Sequence, residues 1–124
     1  PQSRSDPPKL TYHPPPFLCI SAPMGDTLST PNKEKHLDTG EDARFRFASC
    51  GMQGWRRGME DAHTTVLSMP TRPGDSFFAV FDGHCGPPVA QFCGERVYRI
   101  LGEQPLYAQG ELEKALTRTF IQAD

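Results

Sequence analysis

The apolar run Phe77–Phe81 ends directly at Asp82, Gly83 and His84. A continuous apolar run of this length favours a strand that is covered on both faces. An aspartate at the end of such a strand can face a binding site, and the glycine after it lets the backbone approach a ligand closely. The fold must therefore bury this strand and leave its carboxyl end open to a site.

The residues before this run predict two further strands. Charged and aromatic residues alternate at 44–49, which is the period of a half-buried strand. Turn residues at 51–58 separate it from a second predicted strand at 59–69. A hairpin-like connection at 70–75 then leads to the third strand at 76–81.

Beyond Gly86 the apolar residues recur with the period of an amphipathic helix. Two helices are predicted, the first with Pro87-Pro88 in its first turn and the second starting near Glu111. The first is expected to bury Val89, Phe92, Cys93, Val97, Ile100 and Leu101. The second is expected to bury Leu112, Ala115, Leu116, Thr119, Phe120 and Ala123. Core packing explains both faces, so neither indicates a cofactor.

Composition and charge exclude several classes of protein. The formal net charge of −2 and the pI near 6.1 give no basic surface for a nucleic acid. No apolar stretch approaches the roughly eighteen residues of a transmembrane segment, and the chain does not open with a secretory signal. Because the 124 residues start at Pro1 and stop within a predicted helix, we expect a piece of a longer protein.

The cysteine pattern favours an intracellular location. Cys19, Cys50, Cys85 and Cys93 form no C-x-x-C pair, and their spacing matches no common zinc site. Reduced thiols are therefore expected. Together with the missing secretory signal, they predict a cytoplasmic protein, and the nucleus is the other compatible compartment.

Residues 1–43 differ in composition from the rest of the chain. Prolines interrupt this stretch, polar side chains dominate it, and its one apolar cluster is at 17–20. Such a composition cannot bury enough apolar surface to order the chain. We therefore expect a disordered lead-in at 1–43 and a folded part at 44–124.

Three carboxylates in two short segments indicate a site for a hard divalent cation. Mg²⁺ and Mn²⁺ prefer oxygen ligands, so Asp82 could bridge two ions while Gly83 offers its carbonyl. Glu60 and Asp61 are adjacent on a predicted strand, so their side chains are expected on opposite faces. At least one of them would then act through a metal-bound water. The alternatives are an ordinary Asp-Gly turn and a solvated acidic pair.

An arginine and a histidine complete the candidate set. A guanidinium at Arg56 could grip a phosphoryl group with paired hydrogen bonds, although spacing does not separate it from Arg57. His84 could protonate a leaving oxygen beside a metal site, and His63 is a second candidate. The sequence has no Gly-x-Ser-x-Gly motif. A metal-activated water is therefore the expected nucleophile.

Two motifs resemble those of a known enzyme family. They are Met52-Gln53-Gly54-Trp55-Arg56 with Met59-Glu60-Asp61-Ala62-His63, and Phe77-Phe78-Ala79-Val80-Phe81-Asp82-Gly83-His84 with Gly86. Their order and spacing are similar to those of the metal-dependent protein serine/threonine phosphatases of the PP2C type. The resemblance runs from about Phe45 to Asp124, the first third or so of the family's catalytic domain. It implies an α+β fold, part of a β-sandwich flanked by helices, which is incomplete in this chain.

The resemblance also implies how the acidic residues would act. Asp82 would bridge two Mg²⁺ or Mn²⁺ ions, and Gly83 would give its carbonyl to one of them. Glu60 and Asp61 would hold metal-bound waters. The family completes its metal cluster with aspartates further along the chain, and neither of the segments that carry them is present here. We therefore expect that these 124 residues alone lack phosphatase activity.

The remaining implied roles concern the substrate, a phosphoserine or phosphothreonine of a protein. Arg56 would bind its phosphate, and His84 would act as general acid toward the leaving serine or threonine oxygen. The alternative is a catalytically dead relative that serves as a scaffold or regulator. A small metal-binding module complete in itself is disfavoured, because three strands and two helices leave sheet edges and helix faces uncovered.

A second, shorter resemblance concerns residues 24–29, which fit the pattern for N-myristoylation and look like the amino terminus of some protist members of the family. If Met24 initiates translation, Gly25 would carry the acyl chain. One acyl chain gives only reversible membrane contact. The protein would then be associated with a membrane.

Overall fold

The computed structural model of the protein describes residues 27–124, and these residues confirm the prediction of an α+β fold. The strands are β1 (Thr27–Glu41), β2 (Arg46–Arg56), β3 (Ala62–Val66) and β4 (Phe77–Phe81). The helices are α1 (Pro88–Glu103), α2 (Pro105–Ala108) and α3 (Leu112–Ala123). Within residues 27–124, none of them has both the length and the apolarity that crossing a membrane requires. The strands pair as two antiparallel sheets, β1 with β2 and β3 with β4.

The β1–β2 hairpin has a turn that is held by Asp42. The Asp42 carboxylate accepts hydrogen bonds from the backbone N–H groups of Phe45 and Arg44, both at 2.7 Å. These bonds, the one from Phe45 first, hold the pKa of Asp42 below its usual value. The strands then pair from Glu41 opposite Arg46.

β1 lies within the stretch that the sequence predicted to be disordered, and that prediction is wrong for residues 27–41. Most side chains of β1 are exposed, so no apolar pattern marks the strand in the sequence. Its backbone pairs with β2 at Thr27, at Asn32 and continuously over 35–41. The same pairing extends β2 to Arg56, so the turn predicted at 51–58 begins only after that residue. Residues 1–26 lie outside the described residues.

The antiparallel register of β3 and β4 sets the position of the segments that flank them. Ala62 lies opposite Phe81. Residues 60 and 61 therefore enter β3 at the same end of the sheet at which residues 82 and 83 leave β4. Side chains on one face of β4 are exposed, with Val80 at 77%. Within residues 27–124, helices cover only one side of this sheet, so the prediction of a strand covered on both faces is wrong there.

The helices enclose a small core beside the β3–β4 sheet. α1 packs on both strands, and the Thr64 hydroxyl donates a hydrogen bond to the carbonyl of Gly94 at 2.5 Å. The core cluster consists of Met69, Leu101, Tyr107 and Ala115. It joins the loop after β3 to all three helices.

α1 and α3 lie where the sequence predicts helices, but each buries less of its apolar face than expected. Val97 on α1 and Ala115 and Thr119 on α3 are fully buried. In contrast, Val89 on α1 and Phe120 on α3 remain about half exposed. The expectation of a fully buried face on α3 is therefore wrong within residues 27–124, because no described element covers its outer side.

Arg44 joins the β1–β2 turn to the loop between β3 and β4. Its guanidinium donates to the Leu67 carbonyl at 2.7 Å, to the Ser76 hydroxyl at 3.1 Å and to the Gly74 carbonyl. It also pairs with the Asp42 carboxylate at 3.0 Å. One side chain thereby holds the hairpin against the second sheet.

Tyr107 joins α2 to the same loop. Its hydroxyl donates to Asp75 Oδ2 at 2.9 Å, and its carbonyl accepts from the Arg72 guanidinium at 2.9 Å. Burial, followed by the hydrogen bond to Asp75, raises the pKa of Tyr107 from 10.0 to about 12. Protonated Tyr107 therefore stabilises the fold fully below pH 10, and this contribution is lost as the pH rises toward 12.

We expect Tyr107→Phe to lower the free energy of unfolding by about 1 kcal/mol near neutral pH, because the hydrogen bond to Asp75 is lost. The variant should lose less stability than the wild type between pH 10 and about 12. Urea unfolding curves at neutral and alkaline pH measure both effects, with Tyr98→Phe as the matched control. Identical alkaline losses in the wild type and in Tyr107→Phe would contradict the prediction.

Candidate functional site

A cleft of about 210 Å³ opens where β2, β3 and β4 reach the same end of the structure. Its walls are formed by Met52, Gln53, Arg56, Gly58, Met59, Glu60, Asp61, Asp82 and Gly83. Five of the seven residues predicted as site residues thus line one cavity: Arg56, Glu60, Asp61, Asp82 and Gly83. We call it the acidic cleft, because its carboxylates outnumber its one guanidinium.

Gly83 packs directly against the backbone of Glu60 and closes one wall of the acidic cleft. A Cβ on Gly83 would lie 2.2 Å from the Glu60 carbonyl oxygen, so a larger residue cannot fit unless the backbone moves. The Gly83 N–H also donates a long hydrogen bond to Asp61 Oδ1 at 3.4 Å. These contacts hold the segment after β4 against the segment before β3.

Glu60 and Asp61 line the same cleft, so the prediction that they point to opposite faces of a strand is wrong. That prediction assumed a strand over 59–69, whereas β3 begins only at Ala62. The alternation of side chains applies within a strand. Outside β3 the backbone can turn both carboxylates toward one cavity.

Arg56, and not Arg57, is among the residues that line the acidic cleft. Arg56 is the last residue of β2, two residues after Gly54. Gly54 has a φ of 68°, in the left-handed region that glycine adopts readily. The position of Arg56 at the end of β2 thus distinguishes it from Arg57, which the spacing in the sequence could not do.

Gln53 lines the cleft and was missed by the sequence reasoning. Its Nε2 donates a hydrogen bond to the carbonyl oxygen of Arg56 at 2.7 Å. A polar side chain beside a glycine at a strand end was the available signal. That signal is common in turns, so it did not identify Gln53. Met52 and Met59, also missed, supply the apolar part of the walls.

His84 lies beside the acidic cleft and lines a second, larger cavity of about 540 Å³. Most of this cavity is apolar and is formed by residues of β4, α1 and α3, including Phe77, Ala90 and Phe120. Asp82 and Gly83 line both cavities. The segment 82–84 therefore forms their boundary, and His84 is among the lining residues of the larger cavity only.

His63, the other candidate histidine, is not among the residues that line the acidic cleft. Its Nε2 lies 3.3 Å from the Ser49 hydroxyl, so it connects β3 to β2.

Two predictions concern cysteine chemistry and lipidation. Cys50 and Cys93 carry free thiols, whereas Cys85 is disulfide-bonded. The prediction of reduced thiols is therefore wrong for Cys85. Gly25, the predicted acylation site, lies outside the described residues.

The donors of the acidic cleft fit divalent cations such as Mg²⁺ and Mn²⁺. The carboxylates of Glu60, Asp61 and Asp82 and the carbonyl of Gly83 are oxygen ligands, which these ions prefer. Among residues 27–124, no three acidic, histidine or cysteine side chains converge closely enough to hold an ion. The described residues therefore do not form a metal site by themselves.

Comparison with family models identifies the class of protein: the model of the protein phosphatase 2C family matches residues 45–124. The chain belongs to the protein phosphatase 2C family.

Curated relatives from distant organisms are similar over most of the chain. Protein phosphatase 2C homolog 2 of Saccharomyces cerevisiae is 41% identical over 104 residues, which cover 82% of this chain and 22% of that protein. Protein phosphatase 2C homolog 2 of Schizosaccharomyces pombe is 43% identical over 105 residues, covering 82% and 28%. Probable protein phosphatase 2C 21 of Arabidopsis thaliana is 41% identical over 101 residues, also covering 82% and 28%. The chain spans about a quarter of the length of these relatives.

The contact between Gly83 and Glu60 predicts the effect of a single methyl group. We expect Gly83→Ala to lower the free energy of unfolding by roughly 1–3 kcal/mol, because a Cβ there overlaps the Glu60 carbonyl and forces the backbone apart. Gly74→Ala is the matched control, since a Cβ at Gly74 meets no atom within 4 Å. Urea unfolding of both variants measures the difference. Equal free energies of unfolding for the two variants would contradict the prediction, because the backbone around Gly83 and Glu60 would then move apart without loss of stability.

Proposed function

We propose that the whole protein hydrolyses phosphoserine and phosphothreonine in protein substrates, in a reaction that depends on Mg²⁺ or Mn²⁺. The observation that carries this proposal is the acidic cleft, where Arg56 and three acidic residues from two other segments line one cavity. Membership of the protein phosphatase 2C family supports it. An oxygen-rich cleft beside a guanidinium suits a phosphate ester and the cations that neutralise it.

The substrate side of the proposed reaction rests on Arg56 and His84. Arg56 would bind the phosphoryl oxygens through paired hydrogen bonds, which orient phosphorus for in-line attack by water. The bond from this water to phosphorus forms as the bond to the serine or threonine oxygen breaks. His84 would donate a proton to that leaving oxygen, and the proton lost by the water goes to solvent.

The metal side of the proposal rests on Asp82, Gly83, Glu60 and Asp61. Asp82 and the Gly83 carbonyl would hold two ions directly, and Glu60 and Asp61 would accept hydrogen bonds from water around them. When bound, the ions would lower the pKa of water and neutralise charge on the phosphoryl group. The remaining ligands would come from another part of the protein, so residues 1–124 alone are expected to be inactive.

The proposed location is cytoplasmic, with reversible membrane contact if Gly25 is the acylated amino terminus.

The alternative to an active enzyme, a catalytically dead scaffold or regulator, would keep the fold and lose turnover. Activity of the whole protein decides between the two. Absence of Mn²⁺-dependent phosphate release from phosphoproteins would favour the scaffold.

Asp82→Asn removes the charge of the proposed direct ligand. Loss of a group that only supports a metal ligand costs about 10–100-fold, so we expect turnover to fall by on the order of 100-fold or more. Phosphate release from a phosphothreonine peptide over a range of Mn²⁺ concentrations measures the effect in the whole protein. Glu95→Gln, at an exposed position on α1, is the control for loss of a carboxylate charge. Turnover by Asp82→Asn at the wild-type rate would exclude Asp82 as a ligand.

His84→Ala tests the proton donor through the leaving group. A general acid contributes about 100-fold or more to expulsion of an alkoxide, and little when the leaving group is acidic. We therefore expect a large loss of kcat with a phosphoserine peptide and a small loss with p-nitrophenyl phosphate. His36→Ala, exposed on β1, is the control. Equal losses with both substrates argue against the acid role, and a selective loss in His63→Ala would move that role to His63.

A further inference from the structure

A chain of three hydrogen bonds runs from the backbone of β1 to the backbone of Arg56. The Glu34 N–H donates to Asn32 Oδ1 at 3.0 Å. Asn32 Nδ2 donates to Gln53 Oε1 at 3.2 Å, and Gln53 Nε2 donates to the Arg56 carbonyl oxygen at 2.7 Å. Two side-chain amides thus bridge the two strands of the hairpin at the edge of the acidic cleft. We call this chain of bonds the amide relay.

Each end of the amide relay fixes the orientation of one amide. The Glu34 N–H can only donate, so it must face the oxygen of the Asn32 amide. The Arg56 carbonyl can only accept, so it must face the nitrogen of the Gln53 amide. These orientations leave Asn32 Nδ2 to meet Gln53 Oε1, which is the contact present. One arrangement therefore satisfies all three bonds.

The amide relay acts where regular pairing of the hairpin is interrupted. Asn32 lies opposite Gly54, and the next paired positions are Thr27 and Arg56. The register shifts on both sides of Asn32, so β1 bulges at this point. Strand pairing is irregular here, and Gly54 is free to adopt other conformations. The side-chain bonds therefore add to the pairing of Thr27 with Arg56 in holding the end of β2.

We propose that Gln53 and Asn32 are positioning residues for Arg56, which hold its backbone so that the guanidinium faces the acidic cleft. This inference rests on the proposed function, in which Arg56 binds the substrate phosphate. Gln53 lines the cleft and touches Arg56 directly. Asn32 is not among the lining residues, so it acts only through Gln53. The strand that the sequence does not reveal thereby contributes to the phosphate side of the site.

The experiment compares Gln53→Met and Asn32→Ala with the wild type in the whole protein. Gln53→Met keeps an unbranched side chain of similar length without charge, so it removes the bond to Arg56 and adds no repulsion toward phosphate. We expect the KM for a phosphothreonine peptide and the Ki for inorganic phosphate to rise on the order of tenfold, which corresponds to one lost bond and a displaced backbone. The Mn²⁺ concentration that gives half-maximal activity should not change. Asn32→Ala should raise the same two constants by a smaller factor.

Two further variants separate positioning from general damage to the fold. Gln91→Met, exposed on α1, is the control for Gln53→Met and should leave KM and Ki unchanged. In an Arg56→Ala background, Gln53→Met should change KM by no more than about twofold, because the guanidinium that Gln53 positions is gone. A drop in melting temperature without a change in KM would assign the relay to stability alone and overturn the inference.

The outcomes also distinguish this inference from the proposed function. A wild-type protein without metal-dependent phosphatase activity overturns the proposed function, and with it the role of Arg56. An active wild type whose KM is unaffected by both Gln53→Met and Asn32→Ala overturns only the relay. An effect of Gln53→Met with none from Asn32→Ala would mean that Gln53 contacts the substrate itself, which also overturns the relay. If Gln53→Met does not fold, Asn32→Ala alone decides.

Discussion

The antiparallel register of β3 and β4 is the constraint on which the candidate site depends. Because Ala62 pairs with Phe81, the segment before β3 and the segment after β4 emerge side by side. Carboxylates that are far apart in the sequence then line one cleft. A slip of one residue would turn the side chains of one strand to the other face and separate them. The close contact of Gly83 with the Glu60 carbonyl reinforces this register at the sheet end.

The positive charge of the site comes from the other sheet. The β1–β2 hairpin ends at Arg56, and polar contacts hold it beside β3, including the hydrogen bond from the Thr65 hydroxyl to Asp38 at 2.7 Å. Arg44 secures the opposite end of the hairpin on the loop between β3 and β4. The distance between guanidinium and carboxylates is therefore set by the junction of two small sheets. The arginine proposed to bind phosphate belongs to the β1–β2 sheet, and the residues proposed to hold metal flank the β3–β4 sheet. Neither sheet alone therefore contains the whole proposed site.

The sequence predicted the end of β4 better than the other parts of the site. An apolar run followed by Asp82 and Gly83 has a direct physical meaning, and both residues line the acidic cleft. Glu60 and Asp61 were recognised as candidates, but their orientation was wrong because β3 starts later than the pattern suggested. β1 was missed because an exposed hairpin strand needs no apolar side chains. Burial on α3 was overestimated. An apolar stripe indicates which face of a helix can be buried, but it does not show that another element covers that face.

The sequence by itself determined the residue types of the site, the helical positions of α1 and α3, and the resemblance to a phosphatase family. These properties depend on composition and on local periodicity, which a single segment contains. Only the tertiary structure decided that Arg56 and not Arg57 reaches the cleft, that Glu60 and Asp61 share it, and that Asn32 supports it through Gln53. Each of these results depends on strand register and on hydrogen bonds between distant residues. No local pattern in the chain encodes such contacts, because both partners must first be folded into place.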